Sequence, residues 1–341
     1  MVEFGGWEMP VQYTSIVTEH HAVRRAAGLF DISHMGRLRF SGPDAAAFLN
    51  HLVTNDVTRL AVGQIQYALV VNENGGTLDD VLVYRFADHH LLVVNASNRE
   101  KIVRWIEQHC GDFRVDVEDL TTAQAMVALQ GPQAESLLQP VADVRLSEIK
   151  YFFAAPGKIL GHDGLISRTG YTGEDGFEII VAAQHATELA EKLVVGAMPC
   201  GLGCRDTLRL EAAMPLYGHE LTEEIDPLTA GLGFAVKLDK PDFIGESALV
   251  AAKASANRPR RVGLRLDGKR IAREGALLFV GDQQVGHVTS GTFSPTLEAP
   301  IAMAYVESTH AAIGTTLDVD FRGQRLPAQI VPLPFYRRTA S

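Results

Sequence analysis

The spacing of apolar and polar residues changes several times along the chain, and each change predicts an element. Tyr67 to Val71 and Leu78 to Phe86 are apolar-rich runs separated by Asn72-Glu73-Asn74-Gly75-Gly76, which predicts a β-hairpin. Ala87 to His90 makes a further turn, and Leu91 to Asn95 a third strand. Ser97-x-x-Glu100 has the spacing of a capping box. Ile102, Trp105, Ile106 and His109 then form one core-facing stripe, so a helix is expected through about His109. Upstream, Thr14 to Gly28 reads as a helix with Ser15 as cap and Gly28 as stop. Arg37 to Phe40 reads as a short strand, and Gly42-Pro43 opens a helix to about Leu52 with proline at its first position. The same strand, Gly-Pro, helix order returns at Met126–Leu129, Gly131-Pro132 and Leu137-Leu138, pointing to two related subdomains. Leu165–Arg168 and Phe177–Val181 are strands around the turn-rich stretch Thr169–Gly176.

The texture changes after Ala251–Pro259, an Ala-rich and polar stretch. Beyond it lie short β-rich segments at Val262–Leu266, Leu277–Val280, Val285–Ser290, Ile301–Val306 and Leu317–Phe321, with no convincing helix. That pattern predicts a small all-β barrel or sandwich.

Composition narrows the function classes. The 341 residues suffice for two or three domains, and 46% hydrophobic with 21% charged residues is ordinary for a globular protein. A formal net charge of -10 argues against nucleic acid as partner. No apolar run is long enough to span a bilayer. The start, Met1-Val2-Glu3-Phe4, resembles neither a signal nor a transit peptide. A bacterial cytoplasm fits, as does the mitochondrial matrix for a processed chain. Three cysteines, Cys110, Cys200 and Cys204, suggest a reducing compartment. Cys200-x3-Cys204 has no second pair or nearby histidine to complete a metal site, so buried thiols and no metal are expected. The P-loop, the dinucleotide glycine fingerprint and the nucleophile elbow are all missing.

What remains are carboxylates in positions that propensity disfavours. Asp79 and Asp80 lie in the apolar run Leu78–Phe86, although aspartate is poor in strands and costly to bury unpaired. Side chains alternate across a strand, so the two should point to opposite faces, with at most one in any given pocket. Glu178 interrupts the apolar strand Phe177–Val181 and needs donors: a ligand edge with two N–H groups, or an internal salt bridge to Arg168 or Arg205. Asp206 could cap a helix, with Arg205 at its mouth to meet an anion. Arg209 and Glu211 read as parts of a structural ion-pair network.

Several segments, in order, resemble one family. They are Phe4–Tyr13, Leu29–Gly36, the Asn72–Asp80 hairpin, Arg168–Glu178, Arg205–Glu211, Leu216–Leu221 and Val288–Gly291. The chain resembles the aminomethyltransferase (T protein) family of the glycine cleavage system over nearly its whole length. The resemblance implies an α+β fold, a three-domain cloverleaf around a central folate channel. Residues 1–255 would form two interleaved α+β subdomains, and 258–338 a C-terminal β-barrel. It implies transfer of the aminomethyl carbon from the lipoyl arm of H protein to tetrahydrofolate, with ammonia, methylenetetrahydrofolate and dihydrolipoyl H protein as products. Carried over by position, Asp80 is the catalytic carboxylate. Glu178 binds the pterin edge, Arg205 and Asn95 add folate contacts, and Met35 and Tyr171 pack beside the ring. Arg273 and Tyr336 would lie near the folate tail. The family usually has further residues before the Phe4–Tyr13 stretch and often has alanine at Cys204. Related scaffolds offer alternatives. A demethylase of a small sulfonium or methylamine substrate would need a different pocket, and a non-catalytic folate-binding protein would bind without turnover. The iron–sulfur assembly relatives carry a cysteine motif where this chain has Arg168–Glu174.

Overall fold

The structure is a computed structural model and is described for residues 1–339. It begins with a small hairpin, β1 (Val2–Phe4) and β2 (Trp7–Met9), followed by helix α1 (Ile16–Arg25) and strand β3 (Gly28–Asp31). Ser15 caps α1 through its hydroxyl, which accepts from the Thr18 amide. The helix stops at Arg25, so Gly28 opens the next strand instead of ending the helix. A Cβ on Gly28 would meet Val23 and Cys200 side chains at 2.4 and 2.7 Å, which is why glycine fits where β3 crosses α1.

The first unit is β4 (Gly36–Ser41), α2 (Ala45–Leu52), β5 (Ile65–Val71), β6 (Thr77–Arg85), β7 (His90–Val94), α3 (Arg99–His109) and β8 (Asp116–Asp119). Its sheet is ordered β5-β6-β7-β4-β8, antiparallel throughout. The second unit repeats that order as β9 (Gln124–Gln130), α4 (Ala134–Leu138), β10 (Ala154–Ile159), β11 (His162–Ser167), β12 (Gly176–Ala182), α5 (Ala186–Leu193) and β13 (Met198–Pro199). Its sheet runs β10-β11-β12-β9-β3-β13. The two Gly-Pro turns thus mark one supersecondary plan used twice. The units interleave, because β3 from the N-terminal segment completes the second sheet and pairs in parallel with β13.

Helix α6 (Leu202–Glu211), helix α7 (Glu246–Ala254) and a closed barrel follow. The barrel strands are β14 (Arg260–Leu266), β15 (Leu277–Val280), β16 (Gln283–Ser294), β17 (Ala299–Val306), β18 (Thr316–Phe321) and β19 (Gln324–Val331). The sequence pattern missed β19 because only Ala328 and Ile330 are buried among Gln, Arg and Pro neighbours. Ala251–Ala254 belongs to α7, not to a linker. Among the described residues no helix is long and apolar enough to cross a membrane.

Three local expectations change. Pro43 precedes α2, whose cap is Asp44, so it is not the first helical residue. Ser97 lies in a 3-10 turn, Ala96–Asn98, and α3 starts after Asn98. Asn98 makes no capping bond there, because its amide donates to Asp79 at 2.6 Å. Helix α6 starts at Leu202 with Gly201 as cap, so Asp206 lies inside it and pairs with Arg209, and Arg205 sits in its second turn.

The last turn of α6 fastens the barrel. Leu210 packs with Ile301 and Met303. Buried Arg209 donates to Glu220 at 3.0 Å and to the Ser290 hydroxyl at 2.9 Å. Glu211 accepts from Ser294, Thr296 and Arg24 and lies 3.2 Å from His20, and these partners hold its carboxyl down at about 2 despite burial. Breaking a buried pair leaves the surviving charge unsolvated. Arg209→Met is therefore expected to destabilise the protein by about 3–5 kcal/mol in urea denaturation, because Glu220 stays buried without its partner.

Candidate active site

The register around β6 explains how two aspartates are accommodated. On one side Leu69 pairs with Asp80 and Val70 with Asp79. On the other, Leu82 pairs with Val93, and continuing that register puts Asn95 opposite Asp80, two positions past the last pair of the ladder and one past the end of β7. There β7 gives way to the 3-10 turn, and side-chain amides replace the missing backbone partners. Asn95 Nδ2 donates to the Asp80 carbonyl at 3.1 Å and to Asp80 Oδ1 at 2.8 Å. It also donates to Asp79 Oδ1 at 2.8 Å. Asp79, fully buried, accepts further from the Asn95 amide N–H at 2.9 Å and from Asn98. Asp80 is half-buried and accepts from the Tyr67 hydroxyl at 3.0 Å. The alternation of side chains holds in part: Asp80 reaches the cavity and Asp79 does not, yet one asparagine touches both.

Neither aspartate forms an ion pair with a cation among the described residues. Burial raises the pKa of both carboxyls. The negative charge of Asp80 adds to the rise at Asp79, while hydrogen bonds from Tyr67 and Asn95 oppose it at Asp80.

Glu178 enters from β12 and is almost fully buried. Among the described residues its carboxylate accepts only the Thr169 hydroxyl, at 2.6 Å on Oε2. The salt bridge to Arg168 does not form, because Arg168 is held by Asp175 and Glu135. Arg205 acts on Glu178 only through its charge, without a direct bond, and burial keeps the Glu178 pKa above its ordinary value. Arg205 lies with its guanidinium carbon 4.9 Å from the centre of the Tyr171 ring. The Tyr171 hydroxyl is tied to the Pro215 carbonyl.

These groups meet in one cavity of about 1010 Å³ between the two sheets and the barrel side. Met35, Asp80, Asn95, Tyr171, Glu178 and Arg205 all line it. Two expected residues do not. Arg273 is exposed on a loop, although its neighbour Glu274 reaches the rim residue His219 at 3.3 Å. Tyr336 stacks with Arg24 at 4.0 Å and donates its backbone N–H to the Glu211 carbonyl oxygen, so it packs beside the buried ion-pair network. Sequence reasoning missed Tyr67, His34 and the Met214–Leu216 wall. Tyr67 was within reach: the hairpin register pairs it with Leu82 and makes Asp80 its diagonal neighbour. His34 gives no such signal. Burial lowers its pKa to about 4 and keeps it neutral, and the Phe4 ring meets it edge-on at 5.5 Å.

Comparison with known proteins completes the picture. A model of the GCVT N-terminal domain matches residues 1–240, and one of the glycine cleavage T-protein C-terminal barrel domain matches residues 260–337. The chain is 49% identical to the aminomethyltransferase of Geobacillus thermodenitrificans (strain NG80-2), over 100% of this chain and 95% of that one. It is likewise 49% identical to the aminomethyltransferase of Symbiobacterium thermophilum, over 99% and 93%. A crystal structure of glycine cleavage system aminomethyltransferase T from Bartonella henselae superposes with a TM-score of 0.93 at 36% identity, covering 98% of this chain and 93% of the other. Fold and cavity together therefore define an enzyme of the transferase class. The chain belongs to the glycine cleavage T-protein family of aminomethyltransferases.

Burial of Glu178 has a pH signature. Its folded pKa lies above the unfolded value, so the native state holds its proton more tightly. That contribution is fully present below the ordinary glutamate value of about 4.3 and is lost as pH rises through the folded pKa. Glu178→Gln removes the titration. The variant is expected to gain stability relative to wild type as pH rises above about 4.3, read from paired thermal melts across pH.

Proposed function

We propose that the cavity transfers the methylene carbon of an aminomethyl group, carried on the lipoyl arm of H protein, to tetrahydrofolate. Ammonia, methylenetetrahydrofolate and dihydrolipoyl H protein are the products. In this reading Asp80 is the catalytic residue, and residues 1–255 form the folate-binding region beside a barrel at 258–338. The observation that carries the proposal is Asp80 itself: an anionic group on the cavity wall, hydrogen-bonded on both oxygens and without a cation partner among the described residues. Such a carboxylate stabilises positive charge in a medium that screens it poorly.

The residues present fit the pterin. Glu178 Oε1 has no protein donor among the described residues, so Glu178 can accept a pair of N–H groups from a planar ligand edge. Arg205, Tyr171 and Met35 supply a cation and two flat or soft surfaces beside it. The cavity volume is at the upper end for a single small ligand, which suits a folate together with an incoming carrier arm.

The reaction needs bonds exchanged at one carbon. Two C–N bonds to tetrahydrofolate form, while the C–S bond to the arm and the C–N bond to ammonia break. The two hydrogens lost from folate nitrogens balance those gained by the leaving amine and the thiol. Asp80 orients the reacting nitrogen, takes up its proton and faces the cationic centre that develops as ammonia departs. Its raised pKa brings it closer to neutrality as a proton acceptor. Holding both reactants in a walled cavity supplies the remaining acceleration.

The test is an assay of ammonia and methylenetetrahydrofolate from aminomethyl-loaded H protein. Asp80→Ala is expected to abolish both products while folate still binds; full turnover by that variant overturns the assignment. Glu178→Gln is expected to weaken folate binding on the order of 10- to 100-fold, measured by calorimetry, through loss of a charge-assisted bond pair. A sulfonium substrate run in parallel separates this function from the demethylase alternative.

A further inference from the structure

The family comparison does not account for Asp79. It is fully buried, out of reach of the cavity, and accepts three N–H groups: the Asn95 backbone at 2.9 Å, Asn95 Nδ2 at 2.8 Å and Asn98 Nδ2 at 2.6 Å. All its bonded partners are donors, which is the pattern of an ionised carboxylate. Asn95 is its main client. The single Asn95 amide nitrogen spans Asp79 Oδ1 and Asp80 Oδ1, each at 2.8 Å. Turning the amide over would set its oxygen against two carboxylates, so the observed orientation is enforced. Asn95 Oδ1 then has no protein donor among the described residues. It is not sealed from solvent either, and the residue lines the cavity.

We propose that Asp79 is a positioning residue: it locks the Asn95 side chain so that one N–H steadies Asp80 and the carbonyl oxygen faces the substrate. The Asn95 oxygen would take an N–H donor of the ligand, adjacent to the group that Asp80 meets. This inference rests on the assignment of Asp80 as the catalytic residue. The competing role for Asp79 is purely structural, as an acceptor that ties down the turn Ala96–Asn98.

A double-mutant cycle separates the two. Asp79→Asn keeps the shape but places an amide N–H against at least one of the three donors, in either orientation. Asn95→Ala removes the client. In the aminomethyl-transfer assay, each single variant is expected to lose on the order of 10- to 100-fold in kcat. The Asp79→Asn/Asn95→Ala double variant should lose no more than about threefold beyond Asn95→Ala alone, because both changes disable one unit. Thermal melts on the same samples establish that each variant is folded, and kcat is read on the folded protein. Losses in kcat that multiply in the double variant overturn the proposal. So does an Asp79→Asn enzyme with wild-type kcat and only a lowered Tm. Failure of the underlying function looks different: wild type would then release no ammonia from the loaded carrier, or Asp80→Ala would turn over fully.

Discussion

The structure depends on keeping negative charge buried without a cation. Asp79, Asp80 and Glu178 sit at or beneath the cavity wall, and none is ion-paired among the described residues. An unpaired carboxylate in a poorly solvated site is tolerated only when N–H and O–H dipoles satisfy it. Here those dipoles come from Asn95, Asn98, Tyr67 and Thr169. The cationic side chains nearby are spent elsewhere or held apart. Arg168 is saturated by Asp175, Arg209 by Glu220, and Arg205 lies over Tyr171. The result is a cavity wall whose Asp80 side carries negative charge with no cation bonded to it among the described residues, available to positive charge brought in by a substrate.

The repeated sheet plan places these groups. Each unit uses a three-stranded meander added to the strand that precedes its Gly-Pro turn. The first meander contributes Asp80 and Asn95, and the last strand of the second contributes Glu178. Helix α6 then closes the arrangement with its two ends. Arg205 reaches the cavity from the N-terminal half, while Arg209, Leu210 and Glu211 in the last turn hold the barrel. A loop that crosses the hairpin turn seals the far side, with the Thr77 amide donating to Thr222 and Ile225 carbonyls. That crossing requires glycine at 76, since a Cβ there would lie 1.7 Å from the Glu223 carbonyl oxygen.

Much of this was legible from spacing. The hairpin, the repeated strand–Gly-Pro–helix order and the β-rich tail follow from local periodicity, because each element buries one face. The failures have specific causes. Ser97 and Asp206 have residue types that suit helix caps. Ser97 is displaced into a 3-10 turn where Asn98 serves Asp79, and Asp206 is absorbed into a helix that starts earlier. Tyr336 and Arg273, which the resemblance puts near the folate tail, lie off the cavity lining: one stacks on Arg24 and bonds the Glu211 carbonyl, and the other is exposed. Such allegiances depend on partners distant in the chain.

By itself the sequence determined that two adjacent aspartates in an apolar strand had to diverge, since alternation is a property of the strand backbone. With its ordered motifs, it also determined the family. Only the tertiary structure decided that the divergence is incomplete. The strand beside β6 ends one residue early, and Asn95, freed from the ladder, spans both carboxylates. Where a neighbouring strand stops is set by the turn that follows and by what packs on it. Those are contacts between segments, and they cannot be read from the spacing within any one of them.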